Sequence, residues 1–348
     1  MIRNLRLFVF LSVALGPQAL LARSQALFYM TTNPNSVRSF LAHANKIDVI
    51  VPTWYSVDGN GLVWGEPDEL VMRTARGAHV PVMPIIVNAG FNQQEFHKLA
   101  ITQSSYENMI AALLRECDRN GYAGFQFDFE NVAWTDRDAL TALVTHTATA
   151  LHSRGYKLTI ATVPNAPGYP GASAFDKWIY ANWRGAYDLK ALAAQVDLIC
   201  LMTYDEHTRY TPPGPVSGWS WMVANLDYAL QFVPKEKLSL GIPLYGLHWY
   251  AGDPGAEGRP SETARSISGP DWQLLMEMYH PKLQWDDADK TSWFYFYRDQ
   301  VREWVFFTDQ RTFKARWDLV NLRGLAGFCS WVLGDEDPGI WDVLPQHQ

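Results

Sequence analysis

Cysteine is scarce in this chain. Three residues of 348, Cys117, Cys200 and Cys329, are too few and too widely spaced to make a disulfide framework, so the fold must stand on its own core. Charge is low as well, at 19% of residues, which together with 48% hydrophobic content excludes a disordered chain. Basic residues fall short of acidic ones, 29 against 36, and the net charge of -7 argues against a nucleic-acid partner, because phosphate binding needs a basic surface. No run of 18 apolar residues occurs, so no stable membrane insertion is expected. The chain also lacks a Gly-x-Ser-x-Gly elbow, a phosphate loop and a His-Glu-x-x-His pair, and no metal or organic cofactor is expected. Asp205, Glu206 and His207 do not change this, because neighbours in extended chain point to opposite sides.

Aromatic residues, by contrast, are abundant: 15 Trp, 16 Tyr and 17 Phe. That is more tryptophan than core packing usually demands. At the N-terminus, Arg3 and Arg6 precede an apolar stretch from Leu7 to Leu15 and then small residues, the pattern of a secretory signal peptide over residues 1–24. A secreted or periplasmic location is the expectation. The remaining 25–348 alternates short apolar runs with helical patterns, the signature of a parallel α/β sheet. Strands are expected at Ala26–Met30, Ile47–Tyr55, Pro81–Val87, Gly124–Phe129, Leu158–Val163, Leu198–Tyr204, Leu238–Pro243 and Gly327–Leu333. Eight such strands, mostly apolar throughout, are what a closed (β/α)8 TIM barrel requires. Capping boxes are read at Ser104/Glu107 and Thr135/Asp138, ahead of helices. Asp58-Gly59-Asn60-Gly61 reads as a hairpin turn. Residues 250–310 exceed any barrel loop and read as a small α+β insertion between strands 7 and 8, opening on Gly- and Pro-rich chain at 252–260. One catalytic domain, acting as a monomer, is the expected organisation.

The sharpest segment is Gly124-Phe125-Gln126-Phe127-Asp128-Phe129-Glu130-Asn131. Strand alternation puts Gln126, Asp128 and Glu130 on one face and the three phenylalanines on the other. If the aromatic face packs under the helices, the polar face climbs the barrel interior toward the C-terminal rim, where catalytic groups of this architecture sit. Positions two apart lie about 6.5–7 Å apart at Cα, so both carboxylates approach a ligand from one side. A double-displacement glycosidase needs its nucleophile on the opposite side from its acid. The pair therefore suits one acid and one helper: Glu130 as proton donor, its pKa raised by ionised Asp128 beside it.

This strand resembles the catalytic strand of glycoside hydrolase family 18, Asp-Gly-x-Asp-x-Asp-x-Glu, with Gly124, Asp128 and Glu130 matching and Ala123 and Gln126 replacing the first two acids. The departure resembles the chitobiase and spore-cortex branches. Three further segments are similar to the family: Met202-Thr203-Tyr204-Asp205, Leu240–Gly246, and Ser330–Pro338 with Trp331. The resemblance implies retaining, substrate-assisted hydrolysis of β-linked N-acetylglucosamine glycans. Glu130 would serve as general acid/base, Asp128 would orient the acetamide, and Tyr204 would hold its carbonyl oxygen. Trp331 is expected to stack on the sugar and Asp205 to contact it. Gln126 can hydrogen-bond Asp128, while Met202, Tyr29, Trp54, Tyr245 and Asn165 are candidates for lining the cleft or for packing. Chitin oligomers, peptidoglycan and N-glycan cores are alternative substrates within this chemistry. A glycan-binding lectin on the same fold is the rival of a different class.

Overall fold

The computed structural model describes residues 24–165, 169–250 and 263–346. Residues 1–23, which carry nearly all of the expected leader, and the Gly- and Pro-rich 252–260 lie outside the described residues. Eight parallel barrel strands are present: β1 (Gln25–Met30), β2 (Val49–Pro52) continued as β3 (Tyr55–Val57), β5 (Ile85–Asn88), β6 (Gly124–Asp128), β7 (Lys157–Thr162), β8 (Leu198–Leu201), β9 (Leu238–Pro243) and β15 (Gly327–Trp331). Between β3 and β5, β4 (Val63–Trp64) returns antiparallel on the expected hairpin, with Asp58 Oδ1 accepting from the amides of Asn60 and Leu62 at 2.9 Å each. The sheet curls round so that Ile50 bridges Val82: its amide donates to Pro81 O at 3.0 Å and its carbonyl accepts from Met83 at 3.0 Å. That contact closes the ring.

Alternation along each strand sorts two cores. Phe28, Phe125, Phe127 and Phe129 point outward and are fully buried beneath the helices. Leu27, Tyr29, Val49, Val51, Met83, Ile85, Ala161, Cys200 and Cys329 fill the barrel itself. All three cysteines are free and buried. Gly124 is required where it stands, since its φ is +152° and a Cβ there would lie 1.9 Å from the Lys157 carbonyl oxygen. Without that close approach, β6 could not register against β7.

The insertion is a five-stranded antiparallel sheet of β10 (Gly246–Trp249), β11 (Ala264–Ile267), β12 (Gln284–Asp286), β13 (Thr291–Arg298) and β14 (Val301–Phe307), with the helix Gly269–Tyr279 against one face. It begins a few residues earlier than the sequence suggests, because β10 follows β9 almost directly. Phe294, Phe296, Val305 and Phe307 bury against that helix. The other face turns toward the barrel mouth, where Leu247, Trp249, Trp304 and Phe306 pack with Tyr204, Tyr245 and Trp331. Arg316 stitches the insertion down. Its guanidinium donates to the carbonyls of Ser217 at 2.5 Å and Lys290 at 2.7 Å, and burial lowers its pKa to about 10.

Neither capping box forms. The first helix runs Gln103–Asn120 from Thr102, placing Ser104 and Glu107 inside it, with Glu107 accepting from Gln103 at 2.8 Å. The second begins at Arg137 after a single tight turn, and Asp136 at its start accepts instead from His97 at 2.7 Å.

Candidate active site

A cleft of about 550 Å³ opens at the C-terminal ends of the barrel strands. Asp128 and Glu130 both line it, together with Tyr29, Met202, Tyr204, Asp205, Tyr245 and Trp331, eight of the residues singled out from the sequence. Most of them end a barrel strand or continue it on the inward face, while Asp205 follows Tyr204 directly with φ +62° in place of extended backbone.

Gln126 sits one pleat deeper and is fully buried. Its Nε2 donates to the Tyr29 hydroxyl, while its Oε1 accepts from Thr159 Oγ1 at 3.1 Å and Cys200 Sγ at 3.7 Å. The amide is therefore committed to the barrel interior, and no hydrogen bond to Asp128 forms. Asp128 Oδ1 is buried and unpartnered. Burial alone pushes the Asp128 carboxyl up to about 7. Glu130 is pushed up to about 8, first by burial and then by the charges of Asp128 and Asp205. Desolvation thus outranks the repulsion that the sequence suggested as the cause. A carboxylic acid that keeps its proton near neutral pH is what a proton donor needs.

The backbone of Glu130 is clamped by a residue the sequence reading passed over. Asn88, at the end of β5 and buried, accepts from Glu130 N at 3.1 Å and donates to Glu130 O at 3.0 Å. Next door, Asn131 adopts φ +52° and donates to Phe91 O at 2.9 Å. Tyr187 closes the rear, donating to Phe129 O at 2.7 Å. An amide residue at the mouth of a strand adjacent to the acid was the available signal for Asn88, lost because the expected strand stopped at Val87.

Tyr204 is half-buried, and burial raises its phenol well above the usual value, so it stays a neutral hydrogen-bond donor. Asp205, at φ +62°, accepts a hydrogen bond from the Tyr245 hydroxyl. The Trp331 ring lies 5.5 Å from that of Tyr29, tilted at 52°, and forms part of the cleft floor. Two of the residues read as lining the cleft or packing lie away from it. Trp54 turns outward into the helix-side core near Tyr122, and Thr53, its neighbour on the opposite face, meets the cleft. Asn165 lies behind the lining, donating to Arg184 O at 3.2 Å. Val87 and Ala161 of the strands also line the cleft, and further wall comes from outside the strands: Phe91, Ile179, Trp183, Arg184 and Trp221. Trp285, Trp293, Phe294 and Tyr295 of the insertion are not among the lining residues.

The family model described as Glycosyl hydrolases family 18 matches residues 25–337. The chain is 28% identical over 276 residues to the cortical fragment-lytic enzyme of Bacillus anthracis, covering 78% of this chain but 61% of that protein. Among solved structures it is similar to the chitinase of Chromobacterium violaceum, with a TM-score of 0.81, 26% identity and coverage of 92% and 98% of the two chains. The fold of the Bacillus cereus spore cortex-lytic enzyme SleL is equally close, with a TM-score of 0.81 at 23% identity, covering 92% of this chain and 73% of that one. A match over nearly the whole described chain, on a barrel whose mouth holds Asp128 and Glu130 side by side, makes this protein a member of glycosyl hydrolases family 18.

Proposed function

We propose that this chain hydrolyses β-linked N-acetylglucosamine glycans with retention of configuration, the substrate's own acetamide serving as nucleophile. The observation that carries the reading is the one-sided placement of the acids. Asp128 and Glu130 rise from the same face of β6, and the remaining acid of the cleft, Asp205, is held by Tyr245. A protein nucleophile would have to face Glu130 across the scissile carbon. With none so placed among the described lining residues, attack from within the sugar satisfies the geometry.

Glu130 gives its proton to the glycosidic oxygen as the bond to the anomeric carbon breaks. The 2-acetamido oxygen closes on that carbon, forming an oxazolinium ion. Asp128 accepts a hydrogen bond from the acetamide N–H and offsets the positive charge, and Tyr204 donates to the acetamide oxygen. Glu130, now a carboxylate, takes a proton from the incoming water, which opens the ring from the same face that the leaving group vacated. The relatives named as chitinase and cortical fragment-lytic enzyme support a glycan of this class. A secreted or periplasmic enzyme, as the leader pattern suggests, would meet such polymers outside the cytoplasm.

Product analysis on chitin oligomers, peptidoglycan strands and high-mannose N-glycans, with the anomer followed by NMR, tests the reading. The β-anomer is expected first, together with inhibition by a thiazoline mimic of the oxazolinium ion. An α-anomeric first product would overturn it. Asn88 supplies a second test. Asn88→Ala is expected to lower kcat about 10-fold or more, through lost positioning of Glu130, while KM moves less than about 3-fold. Asn88→Asp, which keeps the acceptor for Glu130 N–H, should recover part of the loss. A KM effect larger than the kcat effect would mean that Asn88 serves binding instead.

A further inference from the structure

Arg184 is the one lysine or arginine lining the cleft among the described residues, and it has no carboxylate partner among them. Asp188, four residues further on, pairs with Arg137 at 2.7 Å and not with Arg184. The Nε of Arg184 is buried without a hydrogen-bond partner. One face of the guanidinium is occupied by Tyr169, whose ring centre lies 4.7 Å away. A partly desolvated cation without an ion pair is costly to keep, and burial lowers its pKa, yet it remains protonated at neutral pH.

The turn that carries it is fixed to the catalytic strand. Tyr180–Arg184 forms a π turn, closed by Gly185 N donating to Tyr180 O at 2.8 Å, a widened geometry frequent at functional sites. Gln93 Nε2 donates to Asn182 Oδ1 within that turn at 3.0 Å and to Asn131 Oδ1 at 3.1 Å, tying the turn to the residue beside Glu130. Asn165 donates to the Arg184 carbonyl at 3.2 Å. The guanidinium is thus held by its backbone and its ring stack, leaving its donors uncommitted.

We propose that Arg184 recognises a carboxylate carried by the glycan, so that the cleft favours N-acetylglucosamine strands in which a neighbouring sugar bears an acidic substituent. This rests on the glycosidase reading above and narrows its substrate class. The planar fork of donors matches a carboxylate two-to-two, and Asp205, one of the acids of the cleft, is held by Tyr245 instead. A lactyl ether on alternate sugars, as in peptidoglycan strands whose stem peptides have been removed, and a uronic acid both present this group.

The test compares three tetrasaccharides: N-acetylglucosamine alone, an N-acetylglucosamine–N-acetylmuramic acid alternation with free lactyl carboxylates, and the same alternation with those carboxylates converted to methyl amides. A fourth ligand replaces the muramic acid with a uronic acid and separates the two sources. In Arg184→Gln, the ratio of kcat/KM for the free-acid strand over the neutral strand is expected to fall at least about 10-fold, and Arg184→Lys should restore part of it. The amide-capped strand should show no such drop in its ratio. Equal losses on all strands would reduce Arg184 to a structural part, and an unchanged ratio would remove it from recognition. Calorimetric binding of the same ligands to both proteins reads this ratio without turnover. Hence a wild-type protein that cleaves none of them sinks the glycosidase reading while binding still decides the role of Arg184.

Discussion

Glu130→Gln is expected to cut kcat on chromogenic N-acetylglucosamine oligomers by about 10³-fold or more, while the oligomer dissociation constant changes by no more than about 3-fold. General acid catalysis contributes roughly 10²–10⁴ in rate, and here nothing else near the scissile bond can replace the donor. Asp128 is committed to the acetamide in the proposed mechanism, and Asp205 is held by Tyr245. The substitution is nearly isosteric, and Asn88 grips the backbone of residue 130 and not its side chain, so the clamp survives. What disappears is a proton held ready near neutral pH by burial and by the neighbouring carboxyl. In the proposed complex, stacking on Trp331 and the contacts of Tyr204 and Asp205 remain to bind sugar. Turnover within about 3-fold of wild type would sink the assignment of Glu130. A loss of binding equal to the loss of rate would instead place Glu130 in ground-state recognition.

The barrel was legible because its signals are local and repeated. Apolar runs of β5, β7, β9 and β15 have no competing reading, and the two-residue period of β6 dictated that the three phenylalanines and the polar ladder take opposite faces. What escaped depends on contacts between segments distant in sequence. The caps at Ser104 and Thr135 look complete locally, but helices begin where tertiary packing lets them. Trp54 and Thr53 differ by one pleat, and only the bend between β2 and β3 decides which meets the cleft. Gln126 was expected beside Asp128, since both share a face. Three partners hold its amide at once, Tyr29 on Nε2 and Thr159 and Cys200 on Oε1, and keep it facing inward. Arg184 and Trp183 lie on an irregular excursion after β7, where neither period 2 nor period 3.6 says which way a side chain points.

That unpartnered Asp128 carries a stability cost with a definite sign. Its folded pKa stands well above the ordinary carboxylate value, and so does that of Glu130. Below about pH 3 both groups are protonated, folded or unfolded, and burial costs nothing extra. As pH rises from there toward 7–8, the unfolded chain releases protons that the folded chain retains, so stability falls across that window and levels off above the folded values. Asp128→Asn removes one of the two desolvated acids from this balance without changing its shape. The variant is expected to melt at least about 2 °C above the wild type at pH 8, with the difference shrinking toward zero near pH 4. Its kcat should drop about 10²-fold or more, because a neutral amide cannot offset the oxazolinium charge. The alkaline limb of its residual kcat/KM profile should move to lower pH, since the like charge that helps hold the proton on Glu130 is gone, although burial, the first cause, keeps the limb above an ordinary glutamate. A melting difference that is the same at pH 4 and pH 8 would show that Asp128 is not strained by ionisation. An alkaline limb that stays in place would mean that the two carboxyls of β6 do not sense one another.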